Sequence, residues 1–446
     1  MKTNKRAVTV VTLALLLLSL CLTAAAEGEK TEIVFWYSLY GRNAQTIHEM
    51  VDDFNASQDA IHVDAQYQGN YDDALMKLKM AGLGHLPCDI VQSHDISLRY
   101  ILDQNWMAPI QQYIDRDRYD LSVIEPNLLA YYTVEGAIDA MPFNCTTPLM
   151  YYNKTAFDEA GIETIPKTMD DVLEVAPLLT QRNPDGSIKR YGYIISNYAW
   201  FFEEWIVEMG REYVNAHNGR EGTPTELLFG SNGAALDIFT MWAKIAQDEN
   251  AGYIERGFTT QAFTSFINGE TAIFFASAAR LASVIDSVGD SFEVGTAFFP
   301  TVNRGDRGGV TAGSGSLWLV NSGNQDKMDA AWEFIKHMVS VEEQITWHMN
   351  TGYFPMNMDV LNTGEYQHHV EEYPQFKTAL DQLHASRPED VGPVLSILPE
   401  LRLYIEDVTR SVTLGELTPK EAVEKLVPFS NDMLHLYNST LQEEDY

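Results

Sequence analysis

The sequence predicts an α/β protein built as two lobes around a cleft. Three observations carry this. The chain has 446 residues, too many for one hydrophobic core and enough for two or three domains. Its first hundred residues alternate strand-like and helix-like stretches, the mark of a mainly parallel sheet flanked by helices. Near one third of its length a polar step, Asn144, Cys145, Thr146 and Thr147, runs into the apolar and aromatic run 149–152. That pattern places a turn-like crossover between the lobes there, with the polar residues on the cleft floor. A hydrophobic content of 45% with 11% aromatics excludes a disordered chain.

Taken in order, Thr31–Tyr37 has strand composition. Helix 43–56 follows, with Ile47, Met50, Val51 and Phe54 on one face. Ile61–Tyr67 alternates as a strand, Gly69-Asn70 turns the chain, and 71–80 is helical. A short strand, 89–92, and a short helix, 96–104, complete the pattern. In such sheets ligands bind beyond the carboxyl ends of the strands, where 36–38, 68–71 and 93–95 fall. Pro142 and Pro148 bracket the polar step and favour extended backbone before each. Thr168 then caps a helix to Leu179, with Asp170 and Asp171 in its first turn. Strand 191–195, an aromatic-rich helix 198–209, helices 233–247 and 258–267, and strand 271–275 leading to Ser277 follow. Strands 292–299 and 316–320 are separated by a loop rich in Gly and Arg. From Asp326 onward the pattern is nearly all helix, and Thr418-Pro-Lys-Glu421 is a capping box with proline at the first helical position.

The chain opens with Lys2, Lys5 and Arg6, an apolar run 7–22 and Ala24-Ala25-Ala26, so 1–26 reads as a cleaved signal peptide rather than an anchor helix. Cys21 follows the bulky Leu20, which argues against its lipidation. Removing those three basic residues takes the net charge from −33 to −36. Such a balance excludes nucleic acid and anionic membrane as main partners. An anionic ligand must therefore meet a local cationic pocket against the global field. The remaining Cys88 and Cys145 make no disulfide framework and are expected as buried free thiols.

No P-loop, nucleophile elbow or H-E-x-x-H motif is present. With 63 acidic residues, chance carboxylate pairs carry no information. His368-His369 beside Glu371-Glu372 reads as a solvated helix end rather than a metal site. Three recognition-type pieces remain. Gly313-Ser314-Gly315-Ser316 is either a plain tight turn before a strand or a backbone N–H nest for a ligand oxygen. Thr351-Gly-Tyr-Phe-Pro355 holds Tyr353 in a rigid turn, to pack or to bind. Arg402 sits among Leu401, Leu403 and Ile405 and needs an anionic partner, either a carboxylate of the chain or a ligand.

These pieces gain meaning from their order. With Phe35-Trp-Tyr-Ser38, Tyr67-Gln-Gly-Asn-Tyr71, Pro142-Phe-Asn-Cys-Thr-Thr-Pro148, Leu149-Met-Tyr-Tyr-Asn-Lys154, Gly313-Ser-Gly-Ser-Leu-Trp318, Thr351-Gly-Tyr-Phe-Pro355 and Pro399-Glu-Leu-Arg402, the chain resembles the periplasmic sn-glycerol-3-phosphate-binding proteins of ABC importers. These lie within the larger family of maltose-type extracellular solute-binding proteins. The resemblance covers nearly the whole mature chain. It implies the type II periplasmic-binding-protein fold, with each lobe a mainly parallel sheet flanked by helices and the ligand in the interlobe cleft.

The resemblance further implies ligand contacts from Tyr71, Asp95, Thr146, Ser277, Ser314, Tyr353 and Arg402. Arg402, Tyr353, Ser314 and Ser277 would hold phosphate, while Asp95 and Tyr71 would hold glycerol hydroxyls. Three positions depart from the family pattern: Asp95 stands for Glu, Ser314 for Gly, and Met169 for a Trp that would stack on the glycerol. Methionine is narrower and more flexible, so either the pocket widens there for a glycerophosphodiester or Met169 merely fills the space. Trp200 matches a cleft aromatic. Residues 27–143 and 281–322 are expected to form one lobe, and 144–280 and 323–446 the other. Neither cofactor, metal nor catalysis is implied. The implied partners are a small phosphorylated polyol or sugar and a membrane permease, and the implied protein is an exported monomer, periplasmic or attached to the outer face of the cell membrane. Three alternatives stay open: a sugar or oligosaccharide binder using Trp36, Trp200 and Tyr71, a secreted phosphodiesterase or glycosidase, and an adhesion protein.

Overall fold

The computed structural model describes residues 30–82, 86–254 and 260–444. The expected signal peptide and Cys21 lie outside the described residues. The main strands, in chain order, are β1 (Thr31–Tyr37), β2 (Ile61–Tyr67), β3 (Ile90–His94), β4 (Met141–Thr146), β5 (Pro148–Asn153), β6 (Tyr193–Ser196), β7 (Ala251–Ile254), β8 (Ile273–Ser277), β9 (Val294–Phe298) and β10 (Gly313–Leu319). They form two five-stranded sheets, ordered β2-β1-β3-β10-β4 and β7-β6-β8-β5-β9, beside two two-stranded ribbons. In the first, β1 runs parallel to β2 and β3, and β10 runs antiparallel to β3 and β4. In the second, β6 runs parallel to β7 and β8, and β5 runs antiparallel to β8 and β9.

Each sheet thus has one strand set against the other four, and the topology explains which one. The four strands end at the seam between the lobes. The chain crosses the seam from β4 to β5, and again after β9 to β10, so the arriving strand enters at the seam and runs away from it. The crossover at one third of the chain is where the sequence puts it, but it is not a turn. All six residues of β4 are buried in the ladder, and Thr147 alone separates it from β5. The same holds for Gly313-Ser314-Gly315-Ser316, which lies inside β10 and not in a turn before it. Pro142 lacks the N–H that the ladder needs. The register shifts opposite it, between Gly315 and Ser316, and Phe143 becomes the extra residue of a bulge, packed on Trp347 with ring centroids 5.1 Å apart.

The principal helices are α1 (Arg42–Ser57), α2 (Tyr71–Gly82), α3 (Met169–Leu179), α4 (Ala199–Glu208), α5 (Ala234–Ile245), α6 (Gln325–Met338), α7 (Val341–Thr351), α8 (Thr378–Ala385), α9 (Leu398–Thr413) and α10 (Pro419–Glu444). α1 buries Ile47, Met50, Val51 and Phe54, the face its periodicity predicts. α3 starts on a reciprocal cap, with Asp171 N donating to Thr168 Oγ1 at 3.1 Å and Thr168 N to Asp171 Oδ2 at 3.0 Å. One apolar core joins the first sheet to α1, α6 and α7 and runs through the crossover to Tyr151 and Phe274. A second covers the other face of the second sheet with α3, α4, α5 and α9.

Two parts of the expected lobe partition do not match this pairing. Residues 281–322 are expected in the first lobe, yet β9 is hydrogen-bonded along β5 in the second sheet. Its neighbour α8 is held there too, with Gln382 Nε2 donating to Pro148 O at 2.8 Å. Residues 323–446 are expected in the second, yet α6 packs Phe334 on Phe35 of β1 at 5.5 Å between centroids, and α7 carries the Trp347 that packs on Phe143 of β4. Composition identifies a strand or an amphipathic helix but not which sheet buries it.

Candidate functional site

The carboxyl ends of β3 and β4 and the entering end of β10 share one edge of the first sheet, since Gly315 is paired with both His94 and Asn144 and Gly313 with Thr146. Asp95 follows β3 in a single 3-10 turn, and Tyr71 opens α2. Facing them across the seam stand α4, with all ten residues buried, and the first turns of α9. The lobes are held together around this edge. Lys79 Nζ reaches Glu400 Oε1 at 3.3 Å, and Asp103 Oδ2 accepts from Ser396 Oγ at 2.6 Å and from Tyr437 OH at 3.1 Å.

At the centre is Arg402, 8% exposed. Its Nε donates to Glu203 Oε1 at 2.6 Å and its Nη2 to Glu203 Oε2 at 2.7 Å, a two-pronged pair. Asp95 Oδ2 lies 4.0 Å from the same Nη2. Burial works to lower the Arg402 pKa, but Glu203 and Asp95 outweigh it and hold the guanidinium charged, well above its ordinary value. Gly313 is the floor beneath: a Cβ there would sit 3.0 Å from Asp95 Oδ2 and 3.1 Å from Trp200 Nε1. Trp200 packs edge-on against Tyr198 at 5.9 Å. Behind this layer, Glu204 Oε2 accepts from Thr311 N at 3.0 Å. Burial pushes the Glu204 and Glu208 carboxyls well above the usual carboxylate range.

The Tyr71 ring stacks on His94 at 4.9 Å and 14°. Burial, then the Arg402 charge, pushes the His94 imidazole down to about 3, so it is neutral. A relay of amides fixes the tyrosine: Ser38 N donates to Gln92 Oε1 at 2.9 Å, Gln92 Nε2 to Asn144 Oδ1 at 2.8 Å, and Asn144 Nδ2 to Tyr71 OH at 2.8 Å. Asn144 also hydrogen-bonds the Tyr353 side chain, whose hydroxyl burial pushes up to about 12. Tyr353 is aimed there by Gly352, which ends α7 at φ 96°, a conformation a Cβ would disfavour. Thr146 Oγ1 and Ser277 Oγ lie 2.9 Å apart, and Ala279 N donates to the latter at 3.1 Å.

Seven of the nine expected site residues therefore meet at or beside one seam: Tyr71, Asp95, Thr146, Ser277, Tyr353, Arg402 and Trp200. Of Ser314, the backbone lies in β10 opposite Cys145, and its side chain is outside the described residues. Met169 is the first residue of α3, fully buried in the second core, with its N–H donated to Thr301 O at 2.8 Å. Sequence reasoning put Asn144 on the cleft floor and His94 in a crevice loop without giving either a contact, and missed Glu203 and Gln92. Glu203 had a signal, because a Glu-Glu pair inside the apolar run Ala199–Glu208 demands a buried cation by the same logic applied to Arg402. The two cysteines are free and buried. Among the described residues, no group of three or more His, Cys, Asp or Glu side chains is placed to hold a metal, and no helix is long and apolar enough to cross a membrane.

Two lobes, three seam crossings and a buried polar edge between them are the build of a solute-binding protein, and the match in sequence agrees. Residues 49–378 fit the model of the bacterial extracellular solute-binding protein family, and the chain belongs to that family, whose members are exported. Among its relatives are the sn-glycerol-3-phosphate-binding periplasmic proteins UgpB of Yersinia pseudotuberculosis, 27% identical over 94% of this chain and 96% of that one, and of Escherichia coli K12, 25% identical over 96% and 98%. Among solved structures, UgpB from Mycobacterium tuberculosis in complex with glycerophosphocholine superposes with TM-score 0.77 at 20% identity, covering 92% of this chain and all of that one. The sugar-binding protein MalE from Xanthomonas citri does so with TM-score 0.74 at 21% identity, over 92% and 99%.

Proposed function

We propose that the protein is the substrate-binding component of an ABC importer that takes up glycerol-3-phosphate or a glycerophosphodiester, holds it between the lobes and delivers it to a membrane permease without catalysis. The observation that carries this reading is the buried, permanently charged guanidinium of Arg402 at the seam, held by Glu203 and 4.0 Å from Asp95. A guanidinium has five N–H donors, and Glu203 takes two of Arg402's. Phosphate oxygens would take others, with Tyr353 and Ser277 as neutral donors, while Asp95 and Tyr71 would receive the glycerol hydroxyls. Met169 is left to packing. The lobes that close on the solute would be divided by sheet, with 30–146 and 313–351 on one side and 148–298 and the C-terminal helices α8, α9 and α10 on the other.

The test is calorimetry with sn-glycerol-3-phosphate, glycerophosphocholine and maltose. Binding of a phosphate ligand, lost by more than roughly tenfold in Arg402→Ala, is the expected result, since a charge-assisted hydrogen bond contributes about 1.5–3 kcal/mol. The carboxylate pair on Arg402 also fits a second reading, a sugar binder in which Trp200 and Tyr71 stack on sugar rings. Maltose binding without phosphate binding would establish it. Product release from glycerophosphocholine on incubation would point instead to a phosphodiesterase.

A further inference from the structure

We propose, resting on the phosphate-solute reading, that Glu203 sets the charge of the solute, so that the site selects phosphodiesters over phosphomonoesters. Glu203 occupies the Nε–Nη2 edge of Arg402, the fork by which a guanidinium takes two oxygens of a phosphate at once. Among the described residues, what Arg402 has left for a solute is the Nη1 side and the second Nη2 hydrogen. Asp95 stands 4.0 Å from that Nη2.

The three side chains are nearly inaccessible, with Glu203 3%, Arg402 8% and Asp95 8% exposed, so solvent screens them little. One cation faces two carboxylates; burial raises the Glu203 carboxyl while Arg402 opposes that shift, and with both carboxylates ionised the trio carries a net charge of −1 before any solute enters. His94 is neutral and adds nothing to the cationic side. A phosphomonoester carries close to two negative charges at neutral pH, because its second ionisation lies near pH 6. It would bring that charge against Glu203 and Asp95 in a poorly screened site. A phosphodiester carries one negative charge at any pH above its first ionisation and asks for one oxygen contact fewer. If its far end carries a quaternary ammonium, the added charge is zero, and the Trp200 and Tyr198 rings, 5.9 Å apart, offer that cation aromatic surface.

Glu203 is thus a specificity-determining residue acting through Arg402. The experiment compares wild type, Glu203→Gln and Glu203→Asp. The dissociation constants of sn-glycerol-3-phosphate, glycerophosphoglycerol and glycerophosphocholine are measured by calorimetry at about pH 7.5 and about pH 5.5, either side of the monoester's second ionisation. Wild type is expected to favour both diesters by roughly tenfold or more, a difference of about 1.4 kcal/mol, and to gain affinity for the monoester alone at the lower pH. Glu203→Gln keeps an acceptor for Arg402 but loses the charge. It should narrow the preference to about threefold by tightening the monoester and should abolish that pH gain, while Glu203→Asp retains both. Equal monoester and diester affinity in wild type, or an unchanged ratio in a folded Glu203→Gln that still binds, overturns the role of Glu203 and leaves the functional reading standing. No phosphate binding by any of the three proteins overturns both.

Discussion

Arg402 and Glu203 are each other's condition for being buried. Taking either charge out of water is costly, and only the two-pronged contact offsets it. Removing one partner strands the other, so Glu203→Leu and Arg402→Leu should each lower unfolding free energy by roughly 3–5 kcal/mol, while the double change to Leu should cost less than either single one. Urea unfolding of the four proteins measures this. Single variants as stable as wild type would show that the pair is replaced by water. The same logic explains what could be read at this scale. Arg402 announced its need for an anion by standing on an apolar helix face. Which anion it meets is decided by the approach of α4, 199 positions away in the chain. A lone sequence shows the demand but not the partner.

Among the elements, β10 matters most to the site. It carries two glycines into the middle of the first sheet where bulkier residues would strengthen the strand, and close approach accounts for both. A Cβ on Gly315 would collide with Asn144 Oδ1 and lie 2.7 Å from Tyr71 OH. Gly315→Ala should therefore break the amide relay, lower stability by about 1–3 kcal/mol and weaken ligand binding. Gly364→Ala meets open space and should change neither. Thermal melts and calorimetry on both variants check this, and an intact ligand affinity in Gly315→Ala would remove the relay from the site.

Strand and helix positions were mostly legible at this scale because burial imposes its period on the sequence. Helix α1 and strands β1 and β2 fall where their apolar spacing puts them. The segment 313–316 was not legible, since Gly and Ser are turn residues by local preference and only the ladder on both sides, from β3 and β4, makes them a strand. The sheet membership of β9 was equally hidden, because pairing is a long-range choice.

Over the whole molecule, buried titratable groups set opposing pH dependences. Glu204 and Glu208 have folded pKa values raised well above 4.5, chiefly by burial. Their contribution is full below pH 4.5 and is lost as pH rises toward the folded values. Burial lowers His94 to about 3 and His348 to about 4, from 6.5. Their contribution is full above pH 6.5 and is lost as pH falls toward those values. Glu208 Oε2 finds no hydrogen-bond partner among the described residues, so Glu208→Gln removes a titration at little structural cost. Its melting temperature should exceed that of wild type by more at pH 8 than at pH 5. A difference that stays constant with pH would mean that Glu208 does not titrate on unfolding.

The placement of β10 also has a consequence for how the polypeptide comes to be folded. It lies between β3 and β4, strands whose ends are at residues 94 and 146, yet it is itself residues 313–319. A chain emerging from its amino terminus cannot join those two strands until β10, which begins 167 residues beyond the end of β4, has followed. All five strands of the second sheet lie within 148–298 and are complete before β10 emerges. The first lobe to begin is therefore the last to close, and until then β3 and β4 present unpaired edges able to recruit other strands. The lobe nearest the amino terminus cannot lock into its final shape until the strand that begins at residue 313 has arrived.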